Sequence, residues 1–143
     1  MLEQTENSNI FDTVQMPVNL LDASYYSFTE NVMRKALNQG LGILAMKSLA
    51  DGRFFAKKEQ ANWISGDPVI PNYVSIKEAL YYVWSLPVSV LISGNENATY
   101  MREKIALAHS FSKLPEPERM ALINKVKKIA LTGKVEYFKE KEM

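Results

Sequence analysis

Apolar residues fall into two regimes along this chain, short continuous runs and longer stretches with helical spacing. The first run, Val14 to Val18, reads as an extended segment closed by Pro17 and the polar Asn19. From Ser27 or an adjacent residue, Phe28, Val32 and Ala36 share one helical face, and Gly40 stands where a C′ glycine ends a helix. The run "LGILAM", residues 41–46, is short and wholly apolar, the pattern of a strand buried on both faces. Strand, helix and strand in about thirty residues make the size of a βαβ unit.

Residues 50–74 break the rhythm with Gly52, Gly66, Pro68 and Pro71, and "FFAKKEQANWI" within them reads as one or two helical turns. Long irregular stretches of this kind often serve as functional loops. Next, Ser75 and Glu78 hold capping-box spacing before Ile76, Ala79, Leu80, Val83 and Trp84, which predict a helix that Pro87 halts. "VSVLI", residues 88–92, predicts another strand, after which Asn97 caps a helix expected to turn Met101, Ile105 and Ala108 inward. In the last helix Leu122, Val126 and Ile129 form one stripe, with Glu116 and Glu118 near its start and Gly133 past its end. Residues 134–143, "KVEYFKEKEM" in their setting, read as a polar, partly ordered tail, and residues 1–10 as a polar leading segment.

Alternating strands and helices call for a parallel sheet with right-handed crossovers. Three strands leave open edges and apolar faces, so the pattern predicts part of a larger α/β domain.

Composition narrows the chemistry. The chain has 143 residues, 47% of them hydrophobic, enough for one domain with a core. Its 17 basic residues against 16 acidic ones give a net charge of +1, so no global field favours nucleic acid or a membrane surface. With 0 cysteines it has no disulfide, thiolate metal site, iron–sulfur ligation or cysteine nucleophile, and a cytoplasmic location is the natural expectation. No apolar run reaches membrane-spanning length. His109, the single histidine, is expected to be structural or exposed rather than an acid or base, and "KVKK" at 125–128 to be a solvated helix face.

The blocks "FDTVQMPVNLLDA", "GILAMKSLADG", "ALYYVWSLPVSVLISG" and "LTGKVEYFK" together resemble the C-terminal part of a bacterial aldo/keto reductase of the NAD(P)-linked oxidoreductase superfamily. The resemblance runs from about Phe11 to Lys139 with all four blocks in order. It implies a single partial domain, the sixth to eighth strands of a (β/α)8 TIM barrel with their helices. It also implies that the family's Asp, Tyr, Lys and His tetrad lies on residues this chain does not contain, so no catalytic residue is assigned. A truncated or split member is the expectation.

What the resemblance implies for binding is specific. Gln15 matches the glutamine that hydrogen-bonds the nicotinamide carboxamide, a group that needs a donor and an acceptor together. Met46 stands where many members stack a Tyr on the nicotinamide ring, and a thioether packs softly there. Lys47, Ser48 and Leu49 match the loop along the pyrophosphate. Ser93, Gly94 and Asn95 match the loop at the adenosine-side phosphate, where glycine permits close approach and a helix N-terminus favours the anion. Glu103 agrees with the family's acidic residue, but Tyr100 and Lys104 depart from its usual Arg or Gln and Asn, so the cofactor is NADP or NAD. Without the resemblance, Lys47 reads as a solvated lysine and Gln15 as a satisfied amide. Phe54, Phe55, Trp63 and Tyr73 are candidates for lining a substrate pocket or for loop packing. The implied partners are the nicotinamide cofactor and a small carbonyl substrate, with a complementing N-terminal half or a second copy to cover the open edge. The rival expectation is a noncatalytic or vestigial protein.

Overall fold

A computed structural model describes residues 10–53, 73–95 and 97–139 of the protein. Strand β1 (Thr13–Pro17) is followed by a 3-10 turn, Asp22–Ser24, and a π-helical segment, Thr29–Met33, that continues into helix α1 (Arg34–Asn38). Strand β2 (Gly42–Met46) leads to a second 3-10 turn, Ala50–Gly52. Helix α2 (Ile76–Trp84), strand β3 (Val90–Leu91), helix α3 (Ala98–His109) and helix α4 (Glu116–Ala130) complete the order, with a last 3-10 turn at Tyr137–Lys139.

The three strands pair in parallel in the order β1-β2-β3, with Val14 opposite Ile43 and Leu44 opposite Val90. Period-two alternation sorts the sheet into two faces. Val14, Met16, Ile43 and Ala45 are buried in one core with Met33 and Ala36 from the first helical region, Ala79, Tyr82 and Val83 from α2, and Leu122, Val126 and Ala130 from α4. The opposite face carries Gln15, Leu44 and Val90 in one cross-strand row, and of these Gln15 and Val90 are exposed. β2 is therefore buried on one face and half-covered on the other, where its unbroken apolar run had predicted burial on both.

The expectation that these are strands six to eight of a (β/α)8 TIM barrel is overturned. The described residues form four helices and an open three-stranded sheet whose outer strands each pair on one side only. Closure needs a complete ring of tilted, staggered strands; two strands of five residues and one of two supply no ring. The class that stands is α/β with a small parallel sheet.

The helices obey their local signals. Ser75 and Glu78 form the full capping box of α2, and Tyr81 and Tyr82 are buried beside Leu80 and Val83, so α2 is enclosed nearly all round. Asn97 caps α3 through a 3.0 Å bond from the Tyr100 amide. The inward face expected of α3 is absent: it buries no residue, and Met101 and Ile105 are 47% and 46% exposed. The cause is the position of β3 at the sheet edge, beyond which the described residues supply no strand for α3 to cover. α3 is held instead by its C-cap, where the Tyr81 hydroxyl donates to the Ser110 carbonyl at 2.8 Å, and at its middle, where Lys104 reaches Ser93. His109 is exposed at the end of α3.

Gly133 ends α4 with φ +71, and a Cβ there would lie 2.8 Å from the Tyr25 hydroxyl oxygen. Both strain and clash oppose a side chain. Gly40 has φ +77 but open space around it, so it isolates the backbone component. Gly40→Ala is expected to destabilise by about 1 kcal/mol, and Gly133→Ala by about 2–3 kcal/mol as Tyr25 is displaced. Equal losses for the two variants in urea denaturation would show that Tyr25 does not pack as described.

Candidate functional site

Parallel strands bring their C-terminal ends to one edge of the sheet, the usual place for ligands in open α/β folds. The rim here is built from Gln15, from the segment after β2 and from Ser93 onward, where the ladder extends past β3 through a 2.8 Å bond from the Ile92 amide to the Ala45 carbonyl. The Gln15 side-chain nitrogen donates to the Met46 sulfur at 3.2 Å, so amide and thioether sit side by side on the open sheet face.

The segment after β2 is bent sharply. Lys47, Ala50 and Asp51 have φ of 53°, 50° and 58°, left-handed values that non-glycine residues rarely adopt. Such strain collects at functional loops, each residue costing on the order of 1–3 kcal/mol. Two further features mark this loop. The buried Ser48 hydroxyl has no hydrogen-bond partner, and the Lys47 ammonium is ion-paired with Asp51 and lies 5.0 Å from the centre of the Phe138 ring.

Phe138 belongs to residues 134–139, which sequence had assigned to a polar, partly ordered tail. Within it Val135, Glu136 and Lys139 are packed rather than solvated, at 3%, 3% and 8% exposure, and the segment clasps the loops after β1 and β2. The Lys139 ammonium donates to the Asp22 carboxylate at 2.6 Å and to the Tyr25 carbonyl at 2.8 Å. Asp22 also accepts from the amides of Phe28 and Thr29 and from the hydroxyls of Ser27 and Thr29, which starts the first helical region. Asn19 donates to Glu136 at 2.9 Å and to the Lys47 carbonyl at 3.2 Å, while its own oxygen accepts from the amides of Leu21 and Asp22. Arg53 completes the clasp through the carbonyls of Lys134 and Val135.

This buried cluster holds two carboxylates and one ammonium. Glu136 Oε2 lies 2.8 Å from the Lys139 nitrogen but makes no well-aligned hydrogen bond. Burial prevails over the attraction of Lys139 and the bond from Asn19 and holds the Glu136 carboxyl above the usual range.

The residues singled out from sequence divide into two groups. Gln15 from the middle of β1 meets Met46 at the end of β2, Lys47, Ser48 and Leu49 follow β2, and Ser93, Gly94 and Asn95 follow β3 at the same edge. The first group offers an amide, a thioether, a buried hydroxyl without a partner and an ammonium paired with Asp51. The second group, expected from the resemblance at the adenosine side, is less open to a ligand. Lys104 already donates to Ser93 Oγ at 2.9 Å and to the Gly94 carbonyl at 2.6 Å, and Asn95 turns to Met101. Glu103 is exposed on α3, away from any hydrogen bond or ion pair among the described residues. A Cβ on Gly94 would meet nothing within 4 Å, so open space rather than close packing surrounds it. Phe54, Phe55 and Trp63 lie outside the described residues, and Tyr73 is 49% exposed.

Sequence reading missed Asn19, Asp22, Glu136 and Lys139. The signal was polar residues set inside apolar runs, in "VNLLD" and in "VEYFK". Comparison with protein-family models, curated proteins and solved structures finds no match, so the chemistry of the rim rests on its own geometry.

Lys139→Met leaves Asp22 buried without its counter-charge and is expected to cost about 3–5 kcal/mol, read as a fall in the urea midpoint. For Glu136 the fold binds the proton more tightly than the unfolded chain does. Its contribution is therefore fully present below the unfolded value of 4.5 and is lost as pH rises through the higher folded value. Stability of Glu136→Gln relative to wild type is expected to improve as pH is raised from below 4.5 to neutrality; a pH-independent difference would contradict the raised carboxyl.

Proposed function

We propose that this chain is the cofactor-binding part of an NAD(P)H-dependent carbonyl reductase of the aldo/keto reductase kind. The observation that carries the reading is the strained loop 47–51 at the strand ends, with its unpartnered, buried Ser48 hydroxyl beside Lys47 and the Gln15–Met46 pair. In this reading Gln15 holds the carboxamide, Met46 lies against the ring, and Lys47, Ser48 and Leu49 take the pyrophosphate. Ser93, Gly94 and Asn95 serve the distal phosphate, and Glu103 the adenosine end. The bound cofactor would supply the hydride; this chain's residues would bind and orient it. A cytoplasmic setting goes with a soluble nucleotide and a chain without cysteine.

A second reading, a noncatalytic protein or one half of a split enzyme completed by association, is favoured by one observation. Val90 and Ile92 on the edge strand and Met101 and Ile105 on α3 are all more than 40% exposed. Open parallel edges with apolar neighbours invite pairing.

Saturation-transfer NMR with NADH and NADPH tests the first reading. Transfer to the nicotinamide protons is expected, with Lys47→Ala weakening binding about tenfold, the scale of one charge-assisted hydrogen bond. The chain alone is expected not to oxidise NADPH with a simple aldehyde. No transfer from either nucleotide, or unchanged binding in Lys47→Ala, would refute the assignment. Sedimentation then separates the readings further, since a monodisperse monomer disfavours completion by association with itself.

A further inference from the structure

A cavity of about 480 Å³ opens away from the rim residues, between the turn at Ala23 and Ser24, the π-helical segment, α2 and α4. Its volume falls within the range of small-molecule sites, about 300–1,000 Å³. Polar groups meet apolar ones there, and two of the polar groups lack partners among the described residues.

The first is Tyr82, which is 2% exposed and lines the cavity, yet its hydroxyl makes no hydrogen bond with the described residues. Burial, with Asp22 adding to it, pushes this phenol far above its ordinary range, so it remains a neutral O–H donor. The second is Arg119, one turn into α4, whose buried Nε has no acceptor. Tyr82 and Arg119 both line the cavity, and the positive charge of Arg119 opposes part of that rise. Buried polar groups of native proteins are normally satisfied, so the buried Arg119 Nε, on a residue that shares the cavity lining with a Tyr82 hydroxyl that has no hydrogen bond to the described residues, calls for an acceptor.

The charge balance selects the acceptor's class. Lys127 adds a second cation, but Glu30 and Glu116 also line the cavity, and Glu30 is drawn to Arg34 at 3.0 Å. A single negative charge meets the unsatisfied guanidinium; a dianion would face two carboxylates. Leu86, Met120 and Ile123 supply an apolar wall.

We propose that this cavity binds a small organic monocarboxylate, its oxygens accepting from the Tyr82 hydroxyl and the Arg119 guanidinium and its apolar body lying on Leu86, Met120 and Ile123. The site is independent of the cofactor reading, because none of the rim residues lines it.

Straight-chain carboxylates from acetate to octanoate, together with 3-phenylpropionate and the matched amides, test this on the full chain by NMR. The Met120 and Ile123 methyl resonances are expected to shift with the acids, with affinity rising as the chain lengthens. The amides and Arg119→Met are expected to bind at least about tenfold more weakly than the acid on the wild type, the scale of a hydrogen bond to a charged group. Tyr82→Phe is expected to weaken binding several-fold while keeping the melting temperature, because it removes an unsatisfied hydroxyl rather than a structural bond. Methyl shifts in the wild type report binding even where Arg119→Met fails to fold. Equal binding of acids and amides, no shift with any acid, or unchanged affinity in Tyr82→Phe and a folded Arg119→Met would overturn the proposal.

Discussion

The buried carboxylate of Asp22 is the point on which this structure turns. It stands at 0% exposure and accepts from two backbone amides, two hydroxyls and the Lys139 ammonium. A carboxylate taken out of water is tolerable only with such a complete shell. Through that shell one side chain starts the first helical region, fixes the loop after β1 and anchors the far end of the chain. Asn19 repeats the device three residues earlier, joining the same loop to Glu136 and to the Lys47 carbonyl. The polar network thus does for the loops what the apolar core does for the sheet and helices.

Much of the core was legible because its signals are local. The capping box at Ser75 and Glu78, the stripe on α4 and the parallel strands each follow from neighbours within a few turns. The network was not legible, because Asp22 and Lys139 are 117 residues apart in sequence and each, taken alone, looks like a solvated charge. Periodicity has a matching blind spot. It identified Met101, Ile105 and Ala108 as one face of α3, but a shared face is not a covered face. Whether a partner surface exists depends on where β3 sits in the sheet, and β3 is at its edge.

The same logic separates the two halves of the candidate rim. Gln15 stands at the middle of β1 opposite Leu44, and Met46 ends the neighbouring strand two residues further on, so strand pairing alone sets them diagonally on one face. Ser93 and Glu103 depend on a two-residue strand and on a helix with no buried residue, so their placement has little core behind it. The barrel expectation failed for a related reason. Local blocks specify a βα order, whereas closure is a property of the whole ring of strands.

The clasp and the rim are one mechanical unit. Lys47 is held at three points: its carbonyl by Asn19, its ammonium by Asp51, and the ammonium again by the Phe138 ring at 5.0 Å. Two of those points trace to the C-terminal segment, since Asn19 is itself bonded to Glu136 and Phe138 lies between Glu136 and Lys139. An anion arriving at the rim therefore competes with Asp51 for a cation whose position the C-terminal segment sets. Loosening Glu136 or Lys139 would act on Lys47 without touching it, because the backbone of the strained loop and the chain end share the same buried amide.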